Sequence, residues 1–289
     1  MKGSPKILAL LLIAMVVVFI ISGLFAYADA DFYSAYGASV SSQPAIAPYY
    51  ELLYIVVGII GITAVFLLLI KYRLGKAIAA VSTVIYFIIL LLVSTITIGV
   101  ISFYLFNISI IIQSTAADLL TLLAYALPIL ALIYYFRYAG AGGRNIVNIV
   151  VFGVVAEVIA SLLGIVPSLI LVAIIAVYDY ISVFITKHMI TLANGMAGSP
   201  IFSGIELMSK KAKRRFVLGG GDLVFPAIVF NAFLLNGRVI EAVVAGAGAL
   251  IGLAIIVIFG KKNKAYPAMA VIAPIQLIFI GIFSLLVLV

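Results

Sequence analysis

Apolar residues run along this chain in unbroken stretches, interrupted by short clusters of charge, proline or glycine. Many stretches reach about 20 residues, enough for a helix to cross a hydrocarbon core about 30 Å thick. An outer-membrane barrel would instead show short alternating strands, and that pattern is absent. The interruptions predict membrane-spanning helices at 7–28, 51–70, 77–104, 119–136, 146–165, 168–186, 216–236, 239–260 and 266–289. The run between Lys76 and Gln113 is too long for one crossing and too short for two with a turn. We read it as one span with a tilted or interfacial extension.

Composition agrees with this pattern. Of 289 residues, 67% are hydrophobic and 9% charged, against about 45–50% and about 25% in soluble domains. Mean hydropathy is +1.41. There is no cysteine, which removes disulfides, a thiolate nucleophile, Cys-ligated zinc and iron–sulfur clusters. A single histidine, His188, excludes the H-E-x-x-H metalloprotease arrangement and reads as a surface residue at the membrane boundary. The net charge of +8 sits in short loops between apolar runs. It reports membrane topology rather than nucleic-acid binding.

That charge also orients the chain. With the N-terminal tail and every second loop on one side, that side holds Lys2, Lys6, Lys71, Arg73, Lys76, Arg137, Arg144, Lys187, Lys210, Lys211, Lys213, Arg214, Arg215, Lys261, Lys262 and Lys264. These are 16 of the 17 Lys and Arg residues; only Arg238 lies opposite. The positive-inside rule then places the N-terminus in the cytosol and the C-terminus outside. The expected fold is an all-α polytopic membrane protein of nine transmembrane helices in the plasma membrane. Lys2, Lys6 and the run ending at Ala28-Asp29-Ala30 resemble a cleavable leader, but the apolar stretch is too long for one, and we read it as a retained span. Asn107-Ile108-Ser109 is a glycosylation-type triplet on the outer side. The polar connection 187–215 separates a six-span part, 1–186, from a three-span part, 216–289.

An ionisable residue inside a span is costly and marks a functional site by default. Glu157, Asp179 and Asp222 are the clear cases, whereas Asp118 and Glu241 lie near span ends where water is within reach. Asp179 lies about two turns before Lys187, and Asp222 about two turns after Arg215. Both carboxyls therefore sit about 10–12 Å inside the cytosolic boundary, on successive spans. Two carboxyls meeting at low dielectric cannot both ionise, so the pair holds one shared proton. Such a pair can take a proton from water while protonating a peptide carbonyl oxygen. No metal, cofactor, Cys or His is required.

Gly219-Gly220-Gly221 immediately precedes Asp222. Glycines weaken a helix by about 1 kcal/mol each relative to Ala, yet they let another backbone approach closely. Pro267-Ala268-Met269 opens the last span on the same side. Proline there marks backbone that is just entering the helix.

Tyr178-Asp179, Gly219-Gly220-Gly221-Asp222 and Pro267-Ala268-Met269 together resemble the YD, GxGD and PAL motifs of the presenilin and signal peptide peptidase family. Order, side and span number agree as well, so the resemblance covers most of the chain and is closest to prokaryotic homologues. It implies an intramembrane aspartyl protease acting on transmembrane proteins or signal peptides. Asp179 and Asp222 would form the dyad; Tyr178, the three glycines, Pro267, Ala268 and Met269 would shape the site. Met269 stands where the family has Leu, a swap of similar volume, and Gly220 stands where it usually has a larger residue.

The short 187–215 connection implies no obligatory partner subunit and leaves a homo-oligomer open. Substrate helices must unwind to be cut, and strand-like pairing with the enzyme would satisfy their freed backbone. Glu157 has no place in these motifs. A proton- or cation-coupled transporter or leak channel is the rival, since intramembrane carboxylates and Gly-broken helices serve that class too. It does not explain the matched depth of Asp179 and Asp222. A prepilin-peptidase-type protease would lack the Tyr-Asp and proline motifs.

Overall fold

In the computed structural model the apolar runs fold as helices whose limits follow the interruptions in the pattern. It describes residues 5–36, 47–106, 115–189, 191, 204–209, 214–259 and 266–288. The helices are α1 (Pro5–Tyr36), α2 (Ala47–Lys71), α3 (Gly75–Phe106), α4 (Thr115–Ile133), α5 (Ala141–Leu163), α6 (Ile165–Tyr180), α7 (Gly221–Leu235), α8 (Val239–Phe259) and α9 (Met269–Leu288). Single π-helical turns, Tyr134–Tyr138 and Ile181–Ile185, continue α4 and α6. Among the described residues seven helical stretches are long and apolar enough to cross a membrane; Leu122–Tyr138 and Gly221–Leu235 are shorter apolar helices. The protein is a mostly helical, multi-pass integral membrane protein.

Packing ranks these helices. Helix α7 contacts α1, α5, α6, α8 and α9, and its Leu223, Ala227, Ile228, Val229 and Ala232 are fully buried. A helix apolar on every face belongs in the centre of such a bundle. Helix α2 lies at the periphery, with Leu53, Tyr54, Val57 and Ile60 exposed. A continuous apolar face of that kind is stable against lipid rather than water.

Helix α1 is built into the core. Met15 and Val18 are fully buried, and α1 packs on α5 and α7. At Gly153 of α5, an added Cβ would lie 2.6 Å from Ile21 Cγ2 of α1.

The long run after Lys76 forms one helix, α3, through Phe106; Asn107-Ile108-Ser109 lies outside the described residues. Helices α5 and α6 are joined through Gly164 alone, whose φ of 67° makes the reversal accessible.

One expectation needs correction. Residues 216–219 do not begin the seventh span. Strands β1 (Gly204–Ser209) and β2 (Arg214–Gly219) pair antiparallel, with Ile205 opposite Leu218 and Glu206 opposite Val217. Ile205 and Leu218 turn inward and are buried, a cross-strand pair on one face of the ladder. The helix starts only at Gly221, because the preceding glycines are poor helix formers and β2 continues through the first of them.

Candidate active site

Three chain segments converge at the end of the bundle that carries the hairpin. Asp179 is the penultimate residue of α6, and Asp222 lies in the first turn of α7. Both are half-buried, and their carboxyls are electrostatic neighbours. The third segment is the entry to α9. Pro267 and Ala268 are buried, and the Met269 N–H, the first of the helix, donates to Asp179 Oδ2 at 2.9 Å. An N–H in a first helical turn has no intrahelical acceptor, so the proline-led entry delivers a free donor to the aspartate. The Met269 side chain is 2% exposed and anchors this entry in the core.

The glycines act differently from one another. At Gly219 an added Cβ would sit 3.1 Å from Asp222 Oδ2, so its absence lets the backbone lie against the carboxyl, and the Gly219 N–H bonds to it. Gly220 is the buried N-cap residue of α7, its carbonyl accepting from Leu223 and Val224 N–H at 3.1 and 2.9 Å. Gly221 is exposed, and a Cβ there would meet only the movable ring of Phe225. A carboxyl in the first turn of α7 also faces the positive end of the helix dipole.

Tyr178 is tied to a residue that the sequence left unassigned. Its hydroxyl is hydrogen-bonded to His188 Nε2 at 3.1 Å, and His188 Nδ1 is paired with the Thr186 hydroxyl. The π-helical turn after Asp179 sets this up: the Thr186 N–H donates to Ile181 O at 2.9 Å. Lys187 then takes a φ of 55°, turning His188 back onto Tyr178. His188 lies near the surface, as its sequence reading has it, but is half-buried with both ring nitrogens engaged. A π turn carries no compositional mark, so spacing alone could not have paired residues 178 and 188.

The remaining acids stand apart. Glu157 is buried in α5 and engaged by its surroundings. Glu241 pairs with Arg238 at 2.8 Å at the turn between α7 and α8. The side chain of Asp118 lies outside the described residues.

A membrane-embedded helical bundle holding two adjacent carboxyls, each met by a backbone N–H, has the architecture of an aspartyl protease working within the bilayer. The family model described as "Signal-peptide peptidase, presenilin aspartyl protease" matches residues 9–285, and the chain belongs to that family. The protein is an intramembrane aspartyl protease, an aspartic endopeptidase. Two solved structures share its fold, both of a presenilin family intramembrane aspartate protease. The crystal in space group C222 has a TM-score of 0.62 and 21% identity over 95% of this chain and 97% of that one. The crystal in space group P2 has a TM-score of 0.60 and 23% identity over 95% and 96%. No curated protein matches the chain.

Proposed function

We propose that Asp179 and Asp222 form the catalytic dyad and cleave peptide bonds within transmembrane segments. The observation that carries this reading is the meeting of two carboxyls in a lipid-embedded bundle, with Met269 N–H on one and Gly219 N–H on the other. The dyad holds one proton between its members. The ionised member takes a proton from water as the oxygen attacks the scissile carbonyl carbon. The protonated member gives its proton to the carbonyl oxygen, forming a tetrahedral diol. Collapse of the diol breaks the C–N bond, with the proton passing to the departing amine.

The substrate must arrive unwound, and the hairpin supplies a surface for it. Glu206 N–H and C=O turn away from β2 to bond Asn145. By the alternation of an antiparallel ladder, its opposite number Val217 turns its own N–H and C=O to the other edge. Val217 is 48% exposed, so β2 presents an open edge that ends beside Asp222. A strand added there would satisfy the freed substrate backbone and lead it to the carboxyls.

The seven long helices together with Leu122–Tyr138 and Gly221–Leu235 support the nine-span reading. The distribution of Lys and Arg favours a cytosolic N-terminus and hairpin; the membrane is read as the plasma membrane. The chain works without obligatory partner subunits.

The test is direct. Purified protein in detergent, incubated with single-span peptides of about 20 apolar residues, should release fragments cut within the apolar segment, identified by mass spectrometry. Intact peptides throughout such a panel would overturn the reading. Cysteines introduced singly into this cysteine-free chain test the topology: one before α1 should resist a membrane-impermeant thiol reagent applied to intact cells, and one beyond α9 should react.

Tyr178 and His188 act as one positioning unit behind Asp179. Tyr178→Phe and His188→Ala should each lower kcat about threefold to tenfold, the worth of one hydrogen bond. The double variant should be no worse than the more damaging single one, and additive losses would show that the two act separately.

A further inference from the structure

Two asparagines of α5 hold the hairpin in a way that the protease motifs do not account for. Asn145 Nδ2 donates to Glu206 O at 2.7 Å, and its Oδ1 accepts from Glu206 N–H at 2.9 Å. A primary amide paired this way reproduces both bonds that a neighbouring strand residue would make. One turn further along α5, Asn148 Nδ2 donates to Gly204 O at 2.7 Å. Asn148 is 1% exposed, and its Oδ1 accepts the Tyr86 hydroxyl of α3 at 2.6 Å. The Gly204 carbonyl can only accept, so it fixes which way the amide points and leaves Oδ1 to the Tyr86 hydroxyl. Tyr86 is itself held, buried against Tyr135 with ring centroids 5.1 Å apart.

The consequence lies in the hairpin's two edges. The outer edge of β1 is closed by side chains from a core helix, so an incoming strand has only the β2 edge available. The pairing sets Gly204 opposite Gly219 and Glu206 opposite Val217. Anchoring Gly204 and Glu206 to α5 therefore fixes where β2 stands relative to Asp222. We propose that Asn145, Asn148 and Tyr86 are positioning residues that set the cleavage register, α5 serving through them as a surrogate strand for the hairpin. The inference rests on the β2 edge as the seat of the unwound substrate. It adds that the choice of peptide bond is made on the far side of the hairpin, by residues that touch neither substrate nor dyad.

The experiment uses the full chain in detergent and a single-span peptide that the wild-type protein cuts. Asn145→Leu keeps a similar volume and removes both backbone bonds. It should raise KM about tenfold, the worth of two hydrogen bonds, with a smaller change in kcat. Its products should spread from one main bond to the bonds on either side. Asn148→Leu should do the same, and Tyr86→Phe, which deletes one hydroxyl, should give a weaker spread in the same direction. If the leucine variants fail to fold, Tyr86→Phe decides the matter alone. An unchanged product pattern and KM, with only a lowered melting temperature, would make the asparagines scaffolding and overturn the proposal. Full cleavage by Asp222→Asn would instead overturn the dyad, and is read separately.

Discussion

Asp179→Asn and Asp222→Asn are each expected to lower the cleavage of a transmembrane peptide by at least about a thousandfold. The amide matches the carboxyl in size and still accepts a hydrogen bond, so the Met269 N–H contact with residue 179 and the Gly219 contact with residue 222 can persist. What is lost is the ability to exchange a proton. A dyad works as a unit: with one carboxyl gone, the other has no partner with which to divide the roles of acid and base. The double variant should therefore be no less active than either single one. Both should retain the wild-type melting temperature, because half-buried Asp222 in the first turn of α7 loses no packing atoms. The check is product formation over a long incubation, scored by mass spectrometry against enzyme-free peptide. Substantial cleavage by either variant would remove that residue from the chemistry.

These aspartates could be found in the sequence because lipid makes charge rare. With 9% of residues charged, a carboxyl within an apolar run stands out, and loop charges locate its depth. The same economy made the spans legible, since a break in an apolar run leaves few structural alternatives when every backbone group must be bonded. What escaped notice lies where that economy ends. The strand Arg214–Gly219 looks like a basic loop running into a span, because its pairing depends on a partner strand and on Asn145 and Asn148 of α5. Asparagines near a span end have many ordinary uses, and nothing local ties them to residues 204 and 206. His188 was passed over for the same reason: its link to Tyr178 depends on a π turn and on the positive φ of Lys187. In each case the missing information is tertiary.

Gly248 and Gly252 carry no signal in the sequence, since small residues are commonplace in membrane helices, yet they carry the second large effect. An added Cβ at Gly252 of α8 would lie 2.7 Å from Ile272 Cα of α9 and 3.3 Å from its carbonyl oxygen; at Gly248 it would lie 2.9 Å from Gln276 Cα. These are backbone atoms that no rotamer change can move aside, so the two helices meet backbone to backbone through a small-xxx-small face. Helix α9 is also the element that serves both aspartate helices: its Met269 N–H holds Asp179, and Gln276 Nε2 donates to Pro226 O of α7 at 3.0 Å. Gly252→Leu should therefore push α9 outward and withdraw its first residue from Asp179. Overpacking of this kind costs about 1–3 kcal/mol, and a displacement of about 1 Å at a reacting group can cost about a hundredfold in rate. The expected result is a lowered melting temperature together with a fall in kcat/KM of about tenfold to a hundredfold. Gly281→Ala on α9 is the control: an added Cβ there meets nothing within 4 Å, and both quantities should stay near wild type. If Gly252→Leu cleaved as fast as Gly281→Ala, the seating of α9 against α8 would not govern the aspartates. Met269 would then have to be held by its own buried side chain.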